Sequence, residues 1–150
     1  MNYLAKTDEW IRNLVLHEYV HIISMDMTNG WIDSLRTVFG SVVKTNGILP
    51  RWFIEGSAVW YESTIPGQGR LNQKEVKYQV YKAITDNKFC QGVSCLDTPS
   101  KYPYGHAAYW IGGEFVKYLE ELNPGFVRCV YTEHSYYVPF FLEKILKTCI

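Results

Sequence analysis

The chain has 150 residues, 47% of them hydrophobic and 20% charged, and its 15 basic side chains balance 15 acidic ones. A chain this long buries roughly 68–70% of the surface it exposes when unfolded, so folding needs no metal, and a metal site here would serve function. The balanced charge and the lack of a basic run argue against a dedicated nucleic-acid binder or a ligand of anionic membranes, and no apolar run approaches the roughly 18 residues of a membrane span.

Taken in chain order, Asp8 to about Met27 predicts a first helix, with Thr7 as N-cap, Asp8 and Glu9 in the first turn, and Ile11, Leu14, Val15, Val20, Ile22 and Ile23 at apolar positions. Asn29-Gly30 stops it. Trp31 to Val43 has helical spacing at Leu35, Val38 and Phe39 but is interrupted by Gly40, and Lys44 to Pro50 reads as loop. A third helix begins at Pro50 or Arg51, which suits proline in a first turn, and runs to about Ser63 before Ile-Pro-Gly-Gln-Gly. Asn72 to Asp86 and Tyr104 to Leu122 predict two more helices, the latter with Ala108, Ile111, Phe115 and Leu119 inward. Shorter ones are expected over Phe126 to Tyr131 and Pro139 to Thr148. Strand signals are weak throughout, so the fold class is mainly α, in one domain, with no repeat or linker.

The chemistry sits in the first helix as His17-Glu18-Tyr19-Val20-His21, an HExxH sequence. Four residues apart on a helix, the two imidazoles lie about 40° apart around the axis and one turn along it, so both can approach one metal ion. Glu18 falls at the edge of that face, where a general base is needed rather than a ligand. Random placement of this chain's histidines and glutamates would yield roughly 0.007 such matches, which disfavours accident. The third helix adds Glu55, followed by small Gly56, Ser57 and Ala58 that permit close helix approach. Glu55 brought against the histidines completes a His₂Glu zinc shell with a fourth position open for water, the form of a catalytic site.

His17-Glu-Tyr-Val-His21 together with Pro50-x-Trp-x-x-Glu55-Gly-x-Ala58 resembles the gluzincin metallopeptidases, in particular their peptidase-MA-like bacterial members. Further likeness covers Val38-Phe39-Gly40, Gly69-Arg70 and the stretch from Tyr102 through Phe115. The resemblance implies one zinc ion held by His17, His21 and Glu55, Glu18 as the base that activates water, and a peptide or protein substrate. It also implies a downstream tyrosine or histidine for the oxyanion, with Tyr104 favoured over Tyr102 and His106. Two departures bear on it. The 33 residues between His21 and Glu55 exceed the interval of the familiar aminopeptidases, and only 16 residues precede His17, where gluzincins usually carry a β-sheet subdomain. The resemblance leaves open whether the chain is a fragment, and it points to the bacterial envelope or export. The residues Met1 to Glu9 show no leader, so any signal is expected outside this chain.

The remaining residues receive plainer readings. Glu62, seven residues after Glu55, lies about 10.5 Å along the axis and cannot share the metal; it suits an ion pair or a hydrogen bond behind a ligand. Arg70 reads as a solvated charge, His134 has no companion in the sequence, and Trp52, Phe53, Trp60 and Tyr61 read as core. Cys90, Cys95, Cys129 and Cys149 lack a C-x-x-C pair, so they do not form a zinc site; a Cys90–Cys95 bridge around Gly92 and idle thiols both fit. The leading functional reading is a zinc metallopeptidase. A catalytically incompetent interaction module and a zinc hydrolase of non-peptide amides are the alternatives.

Overall fold

The segments with helical spacing form helices, because each places apolar side chains every three to four residues between breakers. The computed structural model describes residues 3–86, 96–97, 104–136 and 142–150, with side chains excepted at 3–7, 104 and 142. Among these the chain is mainly α-helical, in the order α1 (Tyr3–Asp26), α2 (Trp31–Phe39), α3 (Arg51–Glu62), α4 (Lys74–Thr85), α5 (Ala107–Leu122), α6 (Phe126–Tyr136) and α7 (Leu142–Cys149), and no strand occurs among the described residues. None of these helices is long and apolar enough to cross a membrane.

Several boundaries differ from expectation. α1 starts at Tyr3, not after Thr7, since Leu4, Ala5 and Lys6 are good helix formers and nothing before Asp8 stops them. α2 closes at Gly40, which adopts φ 72° and leads into a 3-10 turn over Gly40–Val42. A second 3-10 turn over Thr45–Ile48 occupies the expected loop. α6 continues to Tyr136, because Val127, Val130, Tyr131 and His134 extend one buried stripe. Cys90, Cys95 and Tyr102 lie outside the described residues.

The chain divides into two compact units, one of Met1–Val20 with Pro50–Lys117 and one of His21–Leu49 with Tyr118–Ile150. In the first, the buried residues include Trp52, Phe53, Ala58 and Val59 of α3, Leu71 and Val76, and Ala107, Ala108 and Val116 of α5. Burying a side chain such as Phe53 stabilises by about 1.5–3 kcal/mol. Trp52 and Phe53 are core as expected, but Tyr61 is exposed. The small residues after Glu55 serve α5: a Cβ on Gly56 would meet the Gly112 carbonyl carbon at 2.5 Å, so the two glycines set how closely α3 and α5 pack. Asp97 accepts a hydrogen bond from the Trp52 N–H at 2.9 Å and thereby satisfies a donor at the start of α3.

In the second unit, Ile32, Leu49, Phe126, Val127, Val130, Tyr131 and Ile145 are buried. Glu120 accepts hydrogen bonds from the Gly125 and Val127 N–H groups at 2.8 and 2.7 Å, which caps α6. Cys129 and Cys149 form a disulfide between α6 and α7, so these two are not idle thiols.

The burial of α1 runs against its apolar pattern. Among its described side chains Asn13, His17 and Ser24 are the buried ones, while Ile11, Leu14, Val15, Ile22 and Ile23 are exposed. The helix turns a polar stripe inward, and such a stripe is stable only where its groups find partners.

Candidate metal centre

His17 and His21 occupy successive turns of α1, and Glu55 occupies the second turn of α3. His21 lies one residue past the division between the units but on the same helix as His17. The three side chains each offer one ligand atom, all within 4.8 Å of one another, and the group can hold a metal ion. His17 Nε2 and Glu55 Oε2 are 3.3 Å apart. A tetrahedral shell with bonds of about 2.0–2.1 Å separates its ligands by roughly 3.3–3.4 Å, so this pair already has the spacing of two ligands on one ion. Two imidazoles and a carboxylate are also the donor set that suits zinc in an open site.

Glu55 and His17 are each held from behind. Tyr109, on α5, donates its hydroxyl hydrogen to Glu55 Oε1 at 3.1 Å, and Arg51 Nε lies 3.9 Å from the same oxygen. Oε1 is thus held while Oε2 faces His17. The Tyr109 ring stacks near His17 at 6.0 Å between centroids, with the Arg51 and Arg70 guanidinium groups 5.7 and 5.4 Å from its own centroid.

Glu62 is fully buried and forms a fork with Arg70: its Oε1 accepts from Arg70 Nε at 2.6 Å and its Oε2 from Nη2 at 2.9 Å. The Arg70 backbone N–H adds a third bond at 3.1 Å. Glu62 Oε2 is also 3.4 Å from His17 Nδ1, and Arg70 Nη2 is 2.8 Å from that nitrogen. Glu62 therefore combines the ion pair with a contact behind a ligand, and Arg70 is no solvated charge. Gly69 makes this possible. It adopts φ 78°, and a Cβ there would lie 2.4 Å from the Glu62 carbonyl oxygen, so only glycine lets the chain double back onto the end of α3 and present Arg70.

These contacts set the charge of the buried groups. Burial opposes charge on His17, but hydrogen bonds to the Glu55 and Glu62 carboxylates outweigh it and the nearby Arg70 guanidinium, so the pKa of His17 is raised. Burial likewise works against a charged Glu62, but its bonds to His17 and Arg70 prevail and its pKa is lowered. In the neutral imidazole, the short contact to Arg70, which can only donate, makes Nδ1 the acceptor and places the proton on Nε2. A metal on Nε2 requires the proton on Nδ1 instead, where Glu62 Oε2 is the acceptor at hand.

Glu18 is exposed on α1 beside His17. Tyr104 belongs to a 3-10 turn, Tyr104–His106, that leads into α5, and its side chain lies outside the described residues. His106 is exposed in the same turn and packs against Tyr109 and Trp110, with centroids 6.0 and 5.7 Å away. Tyr109 is the residue that sequence reading misses. Its signal is faint: it falls on the inner side of α5 among 12 tyrosines, and only the fold singles it out. Compared with known proteins, the chain matches no family model, no curated protein and no solved structure.

Proposed function

We propose that this chain is the helical core of a zinc-dependent metallopeptidase of gluzincin type, acting on a peptide bond. The observation that carries the reading is the convergence of His17, His21 and Glu55 ligand atoms within 4.8 Å, with both histidines on the helix that also bears Glu18. The resemblance of HExxH and the Glu55 motif to gluzincins supports the same assignment. Zinc held by these three groups would acidify water and polarise a carbonyl.

The chain's own residues then have distinct tasks. Glu18 accepts a proton from water and returns it to the leaving amine, a double role that a carboxylate can fill and an amide cannot. Tyr109 and Arg51 hold one oxygen of Glu55 so that the other faces the metal position. Glu62 orients His17, and Arg70 keeps Glu62 ionised in a buried position. Tyr104 is assigned to the oxyanion on the resemblance alone.

Zinc content and cleavage of a mixed peptide library, measured for wild type, Glu18→Gln and Glu55→Ala, test the assignment. Glu18→Gln is expected to keep its zinc and lose about 10²–10⁴ of the rate. Glu55→Ala is expected to bind zinc more weakly; undiminished zinc binding would remove Glu55 from the shell. One observation favours a second reading, a non-enzymatic interaction module: Trp10, Val15, Tyr19 and Ile22 of α1 are 63%, 62%, 57% and 60% exposed. A zinc-loaded wild type that cleaves nothing in the library would select that reading.

A further inference from the structure

A cavity of about 510 Å³ opens beside His17, lined by Glu9, Trp10, Asn13 and Leu14 of α1, by Arg70, and by Glu75 of α4. Its size falls in the range of ligand pockets. Two links tie it to the metal centre. Asn13 precedes His17 by one helical turn on the same inward stripe, and Arg70, on the cavity wall, reaches His17 Nδ1 at 2.8 Å.

The polar groups on the lining are not matched to one another. Asn13 is only 8% exposed, yet its side-chain amide makes no hydrogen bond among the described residues. Its polar atoms are not sealed from solvent, so on the cavity wall the amide suits a ligand that both donates and accepts, as a peptide main chain does. Glu9 and Glu75 are exposed carboxylates with no ion pair among the described residues. Arg70 does not neutralise them, because its guanidinium is committed to the buried Glu62. The Trp10 indole supplies an aromatic wall that attracts a cation at its face.

Resting on the peptidase reading above, we propose that this cavity is a substrate subsite for a cationic group of a peptide, an alkylammonium or guanidinium, with Asn13 bonding the adjacent main chain. Glu9 and Glu75 pair with the charge, Trp10 and Leu14 cover the methylene stem, and Arg70 couples the filled subsite to the side of His17 away from Glu55.

The test uses the full chain as Glu18→Gln, zinc-loaded, so that binding is read without turnover. Calorimetry compares short peptides carrying lysine at each position in turn with the same peptides carrying norleucine, each with a free and an acetylated amino terminus. At the best position lysine is expected to bind roughly tenfold more tightly than norleucine. That advantage is expected to vanish when Glu9→Gln and Glu75→Gln, both surface changes, are added. Asn13→Ala is expected to weaken lysine and norleucine peptides alike, by several-fold. If acetylation leaves the lysine advantage intact, the subsite takes a side chain. If acetylation removes the binding advantage of the charge, the cation is the amino terminus. Equal binding of lysine and norleucine peptides, with acetylated and free termini also equal, overturns the proposal. Failure of the peptidase reading looks different: cation-dependent binding without cleavage by wild type leaves the subsite standing, whereas cleavage with no preference for a cation removes the subsite and leaves the peptidase.

Discussion

Two histidines are almost fully buried in this chain, one in each compact unit, and their surroundings are opposite. His17 lies against two carboxylates and a guanidinium. His134, 2% exposed, meets a neutral amide: its Nδ1 donates to Asn46 Oδ1 at 3.1 Å, while Asn46 Nδ2 donates to the Ser24 carbonyl at 2.8 Å. Burial alone lowers the pKa of His134, whereas at His17 the carboxylates reverse that effect. The difference separates a structural histidine, closed into a neutral chain of hydrogen bonds, from one whose partners prepare it to hold a cation. Being buried and polar does not by itself set a histidine's charge; the charge of its neighbours does.

The sharpest way to probe this contrast is to remove one partner in each unit and compare urea unfolding at neutral pH. Arg70→Ala leaves Glu62 buried without its counter-ion, and is expected to cost about 3–5 kcal/mol, towards the lower figure because solvent reaches part of Arg70. Asn46→Ala removes a neutral partner and is expected to cost about 1–3 kcal/mol. Equal losses would mean that the charges around His17 add nothing beyond ordinary hydrogen bonding. Metal provides the next largest effect. Zinc at 100 to 1,000 times its dissociation constant should stabilise the wild type by about 2.7–4.1 kcal/mol, read as a rise in melting temperature. The rise should persist in His134→Gln and disappear in His17→Gln; a rise that survives in His17→Gln would place the metal elsewhere.

How much of this was legible in the sequence follows from the range of each interaction. HExxH is a local pattern, and a helix fixes the relation of His17 to His21 without help from the rest of the fold. Glu55 was legible because its motif also lies within one helix. The Glu62–Arg70–His17 set was not, since it depends on Gly69 returning the chain onto α3, and spacing along the sequence does not report that reversal. The inward face of α1 was misread for a related reason. Apolar periodicity assumes that polar groups stay in water, and it fails where His17 finds charged partners supplied by α3 and Arg70. The Cys129–Cys149 bridge was hidden because its cysteines are 20 residues apart and only the packing of α6 and α7 brings their Cα atoms to 5.8 Å.

The smallest effect is the most specific to His134. Unfolded, the ring takes a proton near its ordinary value of 6.5; folded, burial holds its pKa lower, so the native state resists protonation. The stability that depends on a neutral His134 is therefore complete above that value and is lost as the pH falls through it towards the depressed folded value. The change cannot exceed about 1.4 kcal/mol per pH unit for one group. Subtracting the curve of His134→Gln from that of wild type isolates it, since every other titrating group, His17 included, is common to both proteins. The difference should be flat above about pH 7.5 and should turn against the wild type as the pH is lowered below about 6.5. If it stayed flat down to about pH 5, a proton would reach His134 as easily in the fold as outside it, and the neutral hydrogen bond to Asn46 would not be what distinguishes this histidine from His17.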